Sequence, residues 1–334
     1  MPLKIVFLGS DPIALPALEW IAGEGSGVAS LIAVVTQPDR PSGRGQAVAA
    51  NAIKVWAHGR GIPVHQPAKL SDADVAWMSA LAPDLTLVMA YGQILRENFI
   101  AAPRLGTVNL HASILPRYRG ASPIQSAIAA GERVTGVSLM RIVRRLDAGP
   151  VADSEQVAIG PLDTALDAES RIAAACIPLL ARSLPRLARG ELEFREQDEA
   201  QSTHCRKLAK ADGLLDFSAP AAALAARING FFPWPGCTIE LKGQAIRLGL
   251  ADVGTSPAPG VAPPGRMEPG TPAPGAVLGA DPEGLLVATG AGVLRLRRLQ
   301  RPGGRMLPAG PFLLGFPIPP GDVIASHTMT AIGM

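Results

Sequence analysis

The chain has 334 residues, with 31 Lys and Arg against 28 Asp and Glu, for a formal charge of +3. Apolar residues make up 48% and charged residues 18%, which excludes an intrinsically disordered chain, and no apolar run approaches the ~18 residues of a membrane helix. At ~150 residues per domain the length predicts two domains, each long enough to bury a core.

Lys4–Leu8 is a strand candidate closed by Gly9, Ala14–Ala22 reads as a short helix, and Leu31–Val35 as a second strand. Asn51–Gly59 has helical spacing, and Val64 begins a short extended stretch. Leu85–Met89, Val108–Leu110 and Val137–Arg141 are further strands; Ser122–Ala130 and Ala165–Ala188 are helices by the spacing of their apolar residues. Strands alternating with helices predict an α/β fold with a Rossmann-like, mostly parallel sheet over residues 1–188. In such sheets the site lies beyond the carboxyl ends of the strands. That points to Gly9, Tyr91, Asn109–His111 and the segment after Arg141.

Residues 189–208 are polar and read as a linker. From 209 to 334 the pattern becomes short strands between Gly and Pro turns: Leu214–Phe217, Cys237–Leu241, Ala245–Leu250, Gly275–Leu278, Leu285–Ala288 and Val293–Leu299, with one helix at Ala221–Asn229. This predicts a C-terminal OB-like β-barrel domain. The Pro/Gly-rich stretch between Ala251 and Pro274 reads as a loop joining two of its strands. Cys176, Cys205 and Cys237 are odd in number and widely spaced, so neither a disulfide framework nor a zinc pattern is expected. The apolar stretch before Gly9 is too short for a signal-peptide core, and a cytoplasmic protein is expected.

The usual phosphate-cradling signatures are missing. Gly9-Ser10-Asp11-Pro12 follows the first strand but is not G-x-G-x-x-G, and Pro12 removes a backbone donor. The informative segment is NLHASILPRYRG from Asn109 to Gly120. In an extended chain Asn109 and His111 share a face, where an amide and an imidazole could aim at one developing oxyanion; the bland alternative is a polar strand end with a hydrogen-bonded histidine. Asp147 sits in a turn of Leu146–Pro150 and by itself reads as an ordinary turn aspartate. Ser113 lacks the G-x-S-x-G elbow of a nucleophile. Arg295, Arg297, Arg298, Arg301 and Arg305 fall in a run without an acid, either a solvated edge strand or a phosphate-tracking patch.

These residues carry a resemblance. The N-x-H…S-x-L-P-x-[YW]-R-G string with a later L-D-x-G resembles the folate-dependent formyltransferases. Further matches narrow it to the methionyl-tRNA formyltransferase family: TQPDRPSGRG at residues 36–45, Ala90-Tyr91-Gly92, Thr135-Gly-Val137, Lys207-Leu-Ala-Lys210, Phe232-Pro-Trp-Pro-Gly236 and Leu299-Gln300. The chain departs from that family at residues 9–14, at 46–51 and at Phe232, and its Pro/Gly-rich loop looks like an addition.

The resemblance implies transfer of a formyl group from 10-formyltetrahydrofolate to the amino group of initiator methionyl-tRNA. It assigns catalysis to Asn109, His111 and Asp147: the first two as oxyanion donors, the third as partner of the imidazole and, through water, acceptor of the amine proton. It assigns the folate site to Ser113, Ile114, Leu115, Pro116, Ala90, Tyr91 and Gly92. It implies tRNA contacts at Arg40, Arg44, Lys207, Lys210, Arg297, Arg298 and Arg305. No metal and no membrane contact are expected, and a monomer is. The rivals are a formyltransferase acting on a small amine, which would not need the basic residues, and a catalytically silent tRNA-binding protein, against which the intact Asn109, His111 and Asp147 argue.

Overall fold

The computed structural model describes residues 1–42, 47–255 and 272–332. Two compact units divide the chain: one comprises Met1–Gly120, Thr135–Val157 and Glu169–Thr203, the other Ala121–Val134, Ala158–Ala168 and His204–Met334.

A seven-stranded sheet organises the first unit. From edge to edge its strands are Val151–Ala158, Val134–Arg141, Thr107–His111, Leu85–Val88, Leu3–Leu8, Ala29–Val35 and Val64–His65. The five from Thr107–His111 to Val64–His65 are parallel; Val134–Arg141 runs antiparallel to Thr107–His111. The chain first builds outward from Leu3–Leu8 through Ala29–Val35, then crosses back to Leu85–Val88, so the strand order reverses between Leu3–Leu8 and Leu85–Val88. Leu3–Leu8 is buried at every residue but Lys4, as expected of a strand covered on both faces. Its end meets the next strand closely: a Cβ at Gly9 would lie 2.4 Å from the Met89 carbonyl oxygen.

Local rules account for the helices. Asn51 caps the helix Ala52–His58 by accepting from the Lys54 amide at 3.0 Å. The helix Ala165–Ala188 has the bounds its periodicity predicts, and Ile172, Cys176, Leu179, Leu180, Leu184 and Leu187 form its buried stripe. The helix Asp72–Leu81 was not expected from the sequence; only Asp74 and Met78 of it are fully buried, and Val75, Trp77 and Leu81 pack half-buried against the core.

In the second unit Cys237–Leu241, Gln244–Gly254, Val293–Gln300, Gly284–Ala288 and Val277–Asp281 form an antiparallel sheet in that order, with Leu307–Pro308 paired to Val293–Gln300. This is the all-β unit expected; among the described residues no pairing joins Cys237–Leu241 to Val277–Asp281. The helix Ala221–Gly230 completes the core, with Leu224, Ile228 and Phe231 in one apolar cluster with Ile246, Leu248, Val287 and Leu294. Leu214–Phe217 is not a strand. Leu215 and Phe217 are buried in alternation, but their backbone bonds go to irregular segments at Gly290, Ser326 and His327. Gln244–Gly254 runs past its predicted end because two register shifts around Leu250 bend it, and Asn229 exchanges two hydrogen bonds with the Ala251 backbone there.

Asp212 ties the start of this unit to its last described segment. Its buried carboxylate accepts from two Arg206 nitrogens at 2.8 and 2.5 Å, the Ala209 amide at 2.7 Å and the Thr330 hydroxyl at 2.8 Å. The Arg206 guanidinium, then these further donors, hold the carboxyl well below its usual range. A depressed folded value means that the stabilisation is complete above the unfolded value of 3.8 and is lost as pH falls below it. We expect Asp212→Asn to cost about 2–3 kcal/mol at pH 7. Urea unfolding of both proteins should show this gap shrinking below about pH 4; a gap independent of pH would contradict the assignment.

Candidate active site

The strand Thr107–His111 carries Asn109 and His111 at the carboxyl end of the parallel sheet, two residues apart and therefore on one face. Asn109 stands level with Val88 on one side and Met140 on the other; His111 is level with Ser138. His111 is buried. Asn109 is half-buried, and its side-chain amide has no hydrogen-bond partner among the described residues.

The histidine ring is held from both sides. Nε2 lies 2.9 Å from the Tyr118 carbonyl, which can only accept, so Nε2 carries a hydrogen. Nδ1 faces Asp147 Oδ2 at 3.7 Å, too long for a direct hydrogen bond but close for a charge partner. Asp147 Oδ2 in turn accepts from the Gly120 amide at 2.8 Å. Nδ1 is thus the nitrogen left to face a reacting group.

Both turns that deliver these contacts need unusual backbone. Tyr118 and Asp147 have φ of 58° and 48°, in the left-handed region. Tyr118 is fixed there by Thr203, whose hydroxyl accepts from the Tyr118 amide at 2.9 Å and whose carbonyl accepts from the Arg119 amide at 2.9 Å. The loop of Asp147 is held by Gln197, whose Nε2 donates to the Asp147 carbonyl at 2.8 Å and the Gly149 carbonyl at 2.7 Å. Gly149 is required beside it, since a Cβ there would lie 2.0 Å from the Arg141 carbonyl oxygen. Arg119, fully buried, donates to Gln197 Oε1 at 3.0 and 2.8 Å and to Glu199 at 3.2 and 2.9 Å. Arg119, then Arg145, lower the Glu199 carboxyl to about 2.

Sequence reasoning missed Tyr118, Arg119, Gly120, Gln197 and Glu199 as parts of the site. Gln197 and Glu199 lie in the stretch read as linker, where polarity hid them. Arg119 and Gly120 stood in the motif string, but without side-chain roles.

The residues expected to bind folate fall in two turns. Ser113 is buried and its hydroxyl donates to the Arg117 carbonyl at 2.6 Å. Ser138 Oγ donates to the Ser113 carbonyl and accepts from the Leu115 amide, pinning Ser113–Pro116 to the strand Val134–Arg141. Leu115 is buried; Ile114 and Pro116 are half-buried. Ala90, Tyr91 and Gly92 form a turn beside the reversal of strand order, with φ of 50° at Ala90 and 79° at Gly92. Gln37 Nε2 donates to the Tyr91 carbonyl at 3.1 Å. The Tyr91 ring is in the apolar core with Val6, Val35, Met78 and Phe99, its hydroxyl without a partner, and burial pushes that hydroxyl up to about 12.

Of the basic residues, Arg40 is exposed at the start of a short hairpin, Arg40–Ser42 with Ala47–Ala49, and donates to Gln37 Oε1 at 3.1 Å. The root of that hairpin is pinned by Asn51, which accepts from Thr36 Oγ1 and donates to the Gln37 carbonyl, and by the Lys54–Asp39 pair at 2.6 Å. Arg44 and residues 256–271 of the Pro/Gly-rich loop lie outside the described residues. In the second unit Lys207, Lys210, Arg298 and Arg305 are exposed. Arg297 is bridged to Asp252 at 2.8 Å and Glu283 at 3.0 Å, and Arg295 to Glu283 at 2.6 Å. The run that lacks acids in sequence therefore meets acids from neighbouring strands and turns. Among the described residues no cluster of His, Cys, Asp and Glu is arranged to hold a metal ion, and no helix is long and apolar enough to cross a membrane.

Comparison with known proteins gives the family. Residues 3–184 match the formyl transferase family and residues 207–317 the formyl transferase C-terminal domain. A methionyl-tRNA formyltransferase of Ectopseudomonas mendocina is 42% identical over 306 residues, 91% of this chain and 92% of that protein. One from Methylococcus capsulatus is 42% identical over 312 residues, 93% of this chain and 96% of that one. Among solved structures, an N-formyltransferase from Helicobacter canadensis in complex with folinic acid and dTDP-3-aminofucose has a TM-score of 0.60 at 15% identity, covering 89% of this chain and 99% of that one. HypX from Aquifex aeolicus in complex with tetrahydrofolic acid has a TM-score of 0.61 at 15% identity over 98% of this chain, which spans about half (51%) of its length. At that identity the two structures speak for the fold alone, but the sequence relatives decide the family: the chain belongs to the methionyl-tRNA formyltransferases.

Proposed function

We propose that this chain transfers the formyl group of 10-formyltetrahydrofolate to the free amino group of methionyl-initiator tRNA, with Asn109, His111 and Asp147 as its catalytic residues. The observation that carries the assignment is the half-buried, unpartnered Asn109 amide on the same strand face as His111, whose Nδ1 faces the Asp147 carboxylate. A donor left without a partner beside a buried imidazole fits a carbonyl oxygen that becomes an oxyanion.

As the amine attacks the formyl carbon, Asn109 donates its amide to the oxygen, and His111 adds a second donor through Nδ1–H. Asp147, with Oδ2 3.7 Å from Nδ1, is the charge partner that faces the ring on this side. Through a water, the same carboxylate accepts the proton that the attacking amine loses. Collapse of the tetrahedral species then breaks its bond to the folate nitrogen, which takes up the proton returned through the water by Asp147, and leaves the formyl group on the amine. The turn of Ser113, Ile114, Leu115 and Pro116 and the turn of Ala90, Tyr91 and Gly92 line the folate site in this reading, the latter through its backbone, since the Tyr91 ring is in the core.

We read residues 1–188 as the formyltransferase domain, 189–208 as its linker and 209–334 as an OB-like, tRNA-binding domain, in a cytoplasmic monomer. The exposed Arg40, Lys207, Lys210, Arg298 and Arg305 contact tRNA phosphates in this reading, and Arg44, outside the described residues, is assigned the same role. Arg297 joins them only by sharing a guanidinium already bridged to Asp252 and Glu283.

Three outcomes test this. Purified protein with 10-formyltetrahydrofolate should formylate charged initiator tRNA and not a small amino sugar; the reverse preference would reject the substrate. Asn109→Ala should lower kcat about 10²-fold with folding intact, as for other lost oxyanion donors, whereas near-normal turnover would remove Asn109 from the site. Replacing Arg298 and Arg305 together should raise KM for tRNA with kcat little changed and flatten its salt dependence by roughly 0.7–0.9 in log–log slope per lost phosphate contact. An unchanged slope in steady-state kinetics over a salt series would remove these arginines from the tRNA surface.

A further inference from the structure

We infer that Gln197 is a positioning residue for Asp147, oriented by the buried Arg119. This rests on the catalytic reading of Asp147 given above. Arg119 has only donors, so the Gln197 oxygen must face it, and both Nε and Nη2 of Arg119 do meet that oxygen, at 3.0 and 2.8 Å. The amide is therefore locked with its NH2 group turned the other way. There it meets two carbonyls, those of Asp147 and Gly149, at 2.8 and 2.7 Å. Both hydrogens of the amide are used, and both fall on the loop that carries the catalytic carboxylate.

That loop needs such a clamp. Asp147 has a left-handed φ of 48°, which is unfavourable for a residue with a side chain. The clamp fixes the Asp147–Ala148 and Gly149–Pro150 peptides and so fixes where the Asp147 side chain leaves the backbone. Its Oδ2 then reaches the Gly120 amide at 2.8 Å and stands 3.7 Å from His111 Nδ1. Gly120 directly follows Arg119, so one short segment holds the carboxylate directly and, through Gln197, holds the backbone from which it projects. Arg119 itself is fully buried and would be costly unpaired; Glu199 balances its charge at 2.9 Å.

Gln197→Glu separates this role from a merely structural one. It keeps an oxygen for Arg119 and loses the hydrogens that reach Asp147 and Gly149, setting a carboxylate oxygen against two carbonyls. We expect kcat to fall about 10–100-fold, since a displacement of ~1 Å at a reacting group costs on that order. In an Asp147→Asn background the same change should lower kcat by less than about 2-fold, because its target has already been removed. Amide exchange at Gly120, whose partner is the Asp147 carboxylate, should quicken in Gln197→Glu while the melting temperature stays near that of the wild type. Gln197→Ala, which adds no charge, is read in the same way should Gln197→Glu fail to fold. Equal factors in both backgrounds, or unchanged Gly120 exchange, would overturn the inference. Wild-type kcat in Asp147→Asn alone would instead overturn the catalytic reading of Asp147, and Gly120 exchange would then still decide whether Gln197 holds the loop.

Discussion

Three consecutive residues, Tyr118, Arg119 and Gly120, hold the site together. The Tyr118 carbonyl takes one nitrogen of His111, the Gly120 amide takes Asp147 Oδ2, and the Arg119 side chain turns Gln197 toward the Asp147 loop. The geometry around His111 and Asp147 is therefore set by a turn as well as by the strand that bears the histidine. The turn is itself held by Thr203, from a segment far along the chain, through both its hydroxyl and its carbonyl. Such a turn can be strained at Tyr118 because several independent hydrogen bonds over-determine it.

The buried arginine explains the polar character of residues 189–203. A guanidinium with no solvent exposure requires a full set of acceptors. Gln197 and Glu199 supply them, which is why a stretch with few apolar residues is nonetheless part of the first unit. The stretch read as a linker thus also carries polar side chains that satisfy a buried charge. The same logic recurs in the second unit, where Asp212 gathers Arg206, the Ala209 amide and Thr330 around one carboxylate.

The second unit also shows how an apolar face can be completed in more than one way. Short strands between Gly and Pro turns suggested closure. Among the described residues no pair closes the sheet, and its inner face packs on the helix Ala221–Gly230. Alternating burial does not distinguish these outcomes, since an inward-facing Ile246 or Leu294 is equally apolar against a strand or a helix. The arginine-rich strand makes a related point. Arg295 and Arg297 lie in a run that contains no acid, yet Asp252 and Glu283 reach them across the sheet, so the local charge of the surface is lower than the run suggests.

The sequence by itself determined the parallel-sheet unit, the helix Ala165–Ala188, the Asn109–His111 spacing and, through the motif string around them, the family. Those features are written in short-range periodicity or in the residue identities of a contiguous motif. The Asp72–Leu81 helix, the strand pairing of the second unit and the clamp on Asp147 were decided by tertiary structure. The helix buries only Asp74 and Met78 fully, the pairing of the sheet depends on which strands meet, and the clamp joins Arg119, Asp147 and Gln197 across long stretches of chain. A hydrogen-bonding side chain carries no sign of its partner in its own neighbourhood. Only the fold that brings Gln197 between a buried guanidinium and two backbone carbonyls gives its amide a direction.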